Sequence, residues 1–201
     1  HDELNDLYKK TSVNLQIVGG FVMLCIFVNI DQLYEMLPKD YAGGIWIVFI
    51  IGISKYFDLI LGNNNAIIFN SKYYRMVLFL GLMLVFFTIV LNAIFIPLYG
   101  ITGSAIATLL SITIYSVAKL MFVVKRMHLY PFTNQTLYSM GITFGLFLLF
   151  YFWQFPFHPI IAIGLKSVLV TILYVYINYK FVISIEINEA LDQVYKKIRR
   201  Q

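Results

Sequence analysis

The chain has 201 residues, of which 60% are hydrophobic and only 12% are charged. Soluble domains carry roughly 25% charged residues, so this composition argues against an ordinary soluble domain. The net charge of +5 is small, the sequence offers no basic and aromatic surface of the kind that binds nucleic acid, and the lone Cys25 excludes a disulfide framework. Because the first residue is His1 rather than Met, we expect the chain to be part of a longer protein.

Six apolar segments follow one another along the chain, and each is close to the length of about 20 residues that crosses a bilayer. Their approximate bounds are 13–30, 43–61, 76–96, 101–124, 137–155 and 160–183. The loops between them are too short for a soluble domain. We therefore predict an all-α, polytopic membrane protein with about six transmembrane helices. Its parts are a cytoplasmic lead-in (1–12), a transmembrane unit (13–183) and a cytoplasmic, amphipathic and basic tail (184–201).

The third and fourth segments lie within 43 consecutive residues, 76–118, that include no acidic or basic side chain. Such a run is about twice the length of one crossing. A Pro and a Gly near its middle predict two helices joined by a very tight turn. Gly103, Ala107 and Ser111 follow at four-residue spacing, and small residues on one helix face let a neighbouring helix approach closely in lipid.

The basic residues of the loops are distributed unequally between the two ends of the predicted bundle. Ten Lys and Arg side chains fall on the side of the termini, whereas one, Lys39, falls on the opposite side. By the positive-inside rule, both termini of this chain are expected to be cytoplasmic. The ten residues are Lys9, Lys10, Lys72, Arg75, Lys125, Arg126, Lys196, Lys197, Arg199 and Arg200.

The tail after the sixth segment carries apolar residues on one helical face and basic residues at its end. This pattern is typical of a short helix that lies on an anionic cytoplasmic leaflet. The alternative is a solvated tail that only obeys the positive-inside rule.

Two charged residues fall deep inside the second segment. Lys55 and Asp58 lie about 18 and 22 Å along it, within an apolar thickness of about 30 Å. Their three-residue spacing puts them on one helix face, where they are able to pair. The polar stripe continues through Gly62 and Asn65, with Asn63 and Asn64 beside it. The stripe either lines a hydrophilic cavity that meets a charged or sugar-bearing substrate, or belongs to a neutralised ion pair that only fixes helix packing.

Two further lysines lie in apolar segments. Lys119 is about 27 Å along the fourth segment, which predicts an anchor at the inner interface. Lys166 is about 9 Å inside the outer surface, and it either snorkels outward or lines a cavity.

The sequence carries no signature of an enzyme. It has no His-Glu-x-x-His, no Gly-rich phosphate loop and no serine in a nucleophile elbow. Its three histidines lie far apart, in terminal or loop positions. We therefore predict no enzyme activity, no catalytic residue, no metal site and no cofactor.

Residues 97–108, PLYGITGSAIAT, preceded by Leu91 and Asn92, resemble the N…P-x-x-G-x-x-G-A-A-x-A-T signature in the C-terminal part of polysaccharide flippases. These proteins belong to the multidrug/oligosaccharidyl-lipid/polysaccharide exporter superfamily. The stretch ELNDLYKKTS near the start is similar to the cytoplasmic lead-in of that part, and YAGG before the second segment is similar to the start of its second crossing. Ser104 stands where the family usually has Ala, which exchanges one small residue for another. The resemblance covers nearly the whole chain.

The resemblance implies that the chain is the C-terminal lobe of a two-lobe exporter, whose central cavity opens alternately to either side. The implied substrate is an undecaprenyl-diphosphate-linked oligosaccharide, moved across the inner membrane during the biosynthesis of O-antigen, lipopolysaccharide or another surface polysaccharide. The implied partners are this lipid-linked oligosaccharide, the N-terminal lobe of the same full-length chain and membrane lipids, with no nucleic acid. In that fold the first two helices of each lobe border the cavity.

On this hypothesis Lys55 contacts the diphosphate or acidic sugars, Asp58 tunes that contact or couples an ion, and the three asparagines bind sugar hydroxyls. Lys166 is a further cavity candidate. The residues expected to pack the lobe are Gly103, Ala107 and Ser111. Three alternatives stay open: a cation-coupled multidrug exporter of the same superfamily, a polysaccharide polymerase, which usually needs a large external loop, and a non-transporting membrane scaffold.

Overall fold

The computed structural model describes residues 2–153, 155–156 and 158–199. It is 86% helix, and the described residues include no strand, so the all-α prediction is confirmed. The helices are α1 (Asp2–Val28), α2 (Ile30–Glu35), α3 (Ile45–Ile60), α4 (Asn64–Phe69), α5 (Arg75–Phe122), α6 (Asn134–Tyr151), α7 (Pro159–Lys180) and α8 (Ile185–Arg199), with a 3-10 turn at Lys39–Gly44 and a π turn at Val123–Met127.

Three helical stretches in the described part of the chain are long and apolar enough to cross a membrane: Asp2–Val28, Arg75–Met127 and Pro159–Lys180. On α5, large apolar side chains such as Phe86 and Ile89 are 62% and 65% exposed. Extended apolar surface of this kind is rare on soluble monomers and is compatible with a membrane protein. Helices α3 and α6 have 16 and 18 residues, less than the about 20 residues of a typical crossing.

Helix α5 is not one straight rod, because the chain reverses direction at Gly100. The backbone there has φ 58° and ψ −135°, a conformation that glycine adopts easily and other residues rarely do. Just beyond it, Gly103 lies against the preceding helix so closely that a Cβ would be 2.0 Å from the carbonyl oxygen of Phe95. The two arms, 75–99 and 101–122, therefore form the helical hairpin that the Pro and Gly predict.

Three basic segments and the start of α8 meet at one end of the bundle. The rings of Tyr73 and Phe122, with centroids 5.4 Å apart, bring the two ends of α5 together. The side chain of Asn5 accepts a hydrogen bond from the loop that precedes α6. At the start of α8, Glu186 forms an ion pair with Lys10 of α1, 3.3 Å from Nζ to Oε1. A hydrogen bond from its own backbone N–H lowers the pKa of the Glu186 carboxyl, and Lys10 adds to this effect.

Helix α1 lies at the centre of the packing, in contact with both α3 and α6, while α3 also contacts α5 and α6 contacts α7. The described part of the lead-in forms the first turns of α1. One buried cluster joins α1, α6 and α7 around Leu24, Phe150 and Val170. A second joins the start of α1 to α4 and α5 through Tyr8 and Ile68. The bundle therefore has α1 and α3 in the middle, between the α5 hairpin and the α6–α7 pair.

Local sequence determines where α6 and α7 begin. Thr133 and Thr136 form a capping box, in which each hydroxyl oxygen accepts a hydrogen bond from the backbone N–H of the other residue, at 3.4 and 3.1 Å. Pro159 occupies the first turn of α7, where its missing N–H removes no helical hydrogen bond. These two starts fix the register of the polar side chains of α6 and α7.

Candidate functional site

Lys55 lies exposed in a groove between α1 and α3. The groove has a volume of about 590 Å³, and its walls are formed mainly by apolar side chains, among them Val22 on α1 and Ile51 on α3. Neither of the ion pairs found among the described residues includes Lys55. A single positive charge in an apolar groove suits a ligand that combines an anionic group with an apolar chain.

Asp58, three residues further along α3, does not pair with Lys55. Its Oδ1 instead accepts hydrogen bonds from Lys119 Nζ at 3.2 Å and from Ser116 Oγ at 2.6 Å, both on the second arm of α5. The side chain of Lys119 is 4% exposed and that of Asp58 is 42% exposed. Residues three apart on a helix differ by about 60° around its axis, which is enough for Asp58 to face α5 while Lys55 faces the groove. Lys119, predicted as an interfacial anchor, is thus buried in a packing contact between α3 and α5.

The three asparagines have separate surroundings. Asn64 is buried and accepts a hydrogen bond from the hydroxyl of Tyr8. Asn65 Oδ1 accepts a hydrogen bond from the hydroxyl of Tyr115 on α5, at 3.1 Å. Asn63 lines a different cleft, of about 270 Å³, beside the start of α1. They do not continue a single polar stripe from the groove lysine, because the chain turns between α3 and α4.

Lys166 on α7 is 1% exposed and packs against the end of α1. Its Nζ donates a hydrogen bond to the backbone oxygen of Val28, 3.3 Å away. A positive charge at the C-terminal end of a helix is favourable, because the last carbonyl groups have no helical partner. The adjacent Asn29 amide bonds to Ser167 Oγ at 3.0 Å. Lys166 therefore neither snorkels outward nor lines the groove, because it lies on the side of α7 that packs against the end of α1.

The three small residues of the second α5 arm, Gly103, Ala107 and Ser111, are all buried. Ser111 Oγ donates a hydrogen bond to the carbonyl oxygen of Ala107 in the same helix, at 2.8 Å. Gly103 approaches the backbone of the first arm, so this side of the helix is inside the protein.

A buried polar cluster that the sequence pattern does not predict joins α1, α3, α6 and α7. Gln16 Nε2 lies 3.4 Å from the hydroxyl of Tyr56, which also lines the Lys55 groove. The hydroxyl of Tyr174 donates to the backbone oxygen of Ile17 at 2.9 Å and lies 3.4 Å from Thr143 Oγ1. In the sequence, Gln16 is the residue that indicates this cluster, because an amide inside an apolar segment needs a hydrogen-bond partner on another helix. This cluster holds the groove-forming helices against α6 and α7.

Comparisons of the chain with protein-family models, with curated proteins and with solved structures give no match.

Proposed function

We propose that the chain is a membrane-embedded unit in which six helices cross the inner, or cytoplasmic, membrane and both termini are cytoplasmic. The six helices are α1, α3, the two arms of α5, α6 and α7. Three membrane-length apolar stretches and the reversal at Gly100 support this proposal. The gathering of the basic segments at one end also supports it, since cytoplasmic loops carry an excess of Lys and Arg.

We further propose that the chain is the C-terminal lobe of a flippase that moves an undecaprenyl-diphosphate-linked oligosaccharide in surface-polysaccharide biosynthesis. The observation that carries this proposal is the exposed Lys55 in the apolar groove between α1 and α3. The ammonium group complements a diphosphate, and the apolar walls complement an isoprenoid chain. The likeness of residues 97–108 to the flippase signature points to the same function.

The mechanism is alternating access between two lobes. The N-terminal lobe would face the α1–α3 groove and enclose it as a cavity, which opens to one leaflet and then to the other. Lys55 attracts the diphosphate, and a hydrogen bond to a charged group is worth about 1.5–3 kcal/mol. Asp58 acts through packing, because it holds Lys119 and keeps α5 against α3. No covalent step is required, so the proposal includes neither enzyme activity nor a cofactor.

Replacing Lys55 with Gln is expected to lower glycan export at least about tenfold, because the charged hydrogen bond to the diphosphate is lost. Export is measured as surface polysaccharide in cells that depend on the complete protein, at matched membrane levels. Lys55→Arg keeps the positive charge and is expected to retain export. Lys125→Gln removes an exposed lysine outside the groove and serves as the control. Wild-type export by Lys55→Gln would count against this role of the lysine.

The alternatives differ in what they predict for the same variants. A cation-coupled multidrug exporter would move lipophilic compounds and leave the glycan unchanged, although Lys55 repels a cationic compound in the groove. A non-transporting scaffold predicts no effect of Lys55→Gln, provided that the bundle still folds.

A further inference from the structure

The corner between α7 and α8 forms a second apolar groove, away from Lys55. It has a volume of about 620 Å³. Ile172, Val175 and Tyr176 on α7 line it, together with Leu191 on α8. Ile172 is 62% exposed and Tyr176 is 56% exposed, so the outer face of a membrane-length helix lies open there.

The corner has a defined geometry, because several contacts hold α8 against α7 and α1. The hydroxyl of Tyr179 donates to Asp192 Oδ1 at 2.8 Å. The Asn188 side chain donates to the backbone oxygen of Tyr179 at 3.0 Å. Together with the ion pair from Glu186 to α1, these bonds fix the first two turns of α8 relative to α7.

Basic residues lie near the ends of both helices that form the corner. Lys180 ends α7 with its Nζ 5.8 Å from the centroid of the Tyr176 ring. Lys196 and Lys197 are exposed, and they follow Leu191 by about 8 Å along α8. From position 180 onward the sequence carries five basic and three acidic residues. Tyrosine rings and lysines beside an apolar face are typical of a bilayer interface.

We propose that the α7–α8 corner binds an anionic phospholipid of the bilayer, with an acyl chain in the groove and the headgroup beside Lys180, Lys196 and Lys197. The apolar groove matches the acyl chain, and the basic residues at the ends of the two helices match the anionic headgroup. Asp192, the carboxylate that lines the groove, accepts the hydrogen bond from Tyr179. A second copy that docked here by two-fold symmetry would bring the same basic side chains together, which disfavours that occupant. The inference rests on the membrane insertion proposed above and not on glycan transport.

The test uses tryptophan fluorescence of the complete protein in vesicles. Every tryptophan of that protein, Trp46 and Trp153 included, is replaced by Phe, and Tyr176 is replaced by Trp. Brominated phosphatidylglycerol and brominated phosphatidylcholine are added at equal fractions, and quenching gives their relative binding constants. Phosphatidylglycerol is expected to bind about tenfold more tightly, because each nearby lysine attracts the anionic headgroup. Lys196→Gln with Lys197→Gln is expected to remove most of this preference. Lys125→Gln with Arg126→Gln, in the π turn that follows α5, is expected to keep it.

The control places the tryptophan at Phe86 on α5, where both brominated lipids are expected to quench equally. Equal quenching at position 176, with quenching intact at position 86, would overturn the lipid site and leave membrane insertion standing. Absence of quenching at both positions would contradict membrane insertion, and the lipid site with it. Absence of quenching at position 176 alone would show that another part of the protein or a second copy covers the corner, which also overturns the proposal.

Discussion

Gly103→Ala is expected to lower the free energy of unfolding by about 3 kcal/mol, the upper end of the usual cost of overpacking. An added Cβ would lie 2.0 Å from the carbonyl oxygen and 2.6 Å from the carbonyl carbon of Phe95. Backbone atoms cannot rotate away as a side chain does, so the two arms of α5 would have to separate. Thermal unfolding of the complete protein in detergent, followed by circular dichroism, measures the loss.

Gly81→Ala is the matched control, because Gly81 lies in the first arm of the same helix and an added Cβ there has nothing within 4 Å. In a helix this exchange is expected to stabilise by about 0.5–1 kcal/mol. The two substitutions are chemically identical and are predicted to have opposite signs. Equal unfolding temperatures for the two variants would refute the close approach of the α5 arms.

Asp58→Ala is expected to destabilise the protein by about 3 kcal/mol, because it leaves the buried ammonium of Lys119 without its anionic partner. Lys119→Met is expected to cost less, about 1 kcal/mol, since Asp58 is 42% exposed and can be solvated when unpaired. The double variant Asp58→Ala with Lys119→Met is expected to recover most of the loss. Chemical unfolding of each purified variant gives the three free energies.

Lys55→Met is the control for this series, because Lys55 lies three residues before Asp58 on the same helix and forms neither of the described ion pairs. Its unfolding free energy is expected to stay near that of the wild type. If Lys119→Met were the more damaging single variant, or if the double variant showed the sum of both losses, the pair would not carry the proposed contact between α3 and α5.

Features that depend only on a short stretch of the chain could be predicted from the sequence. The Pro and Gly inside a long uncharged run predict a reversal, and the structure has one at Gly100. The apolar segments predict helices, and α1, α5 and α7 are long and apolar enough to cross a membrane. These are local properties, determined by backbone preferences and by the length of apolar runs.

The helix face on which each charged side chain lies could not be predicted from the local sequence. Counting residues gives the depth of Lys119 and Lys166 along their helices but not the face on which each lies. Both are buried against neighbouring helices, Lys119 against α3 and Lys166 against the end of α1. The pairing of Asp58 likewise depends on how α5 is rotated against α3, which only the packing determines. Lys55, by contrast, is exposed in the groove between α1 and α3.

Binding of a fluorescent undecaprenyl-diphosphate-linked oligosaccharide to the complete purified protein tests the role of Lys55 most directly. We predict a Kd at least about tenfold higher for Lys55→Gln and an unchanged Kd for Lys55→Arg. Undecaprenol, which has the same chain without the diphosphate, is expected to bind all three proteins equally. An equal Kd of the diphosphate-linked oligosaccharide for the wild type and Lys55→Gln would contradict the proposed contact between Lys55 and the diphosphate.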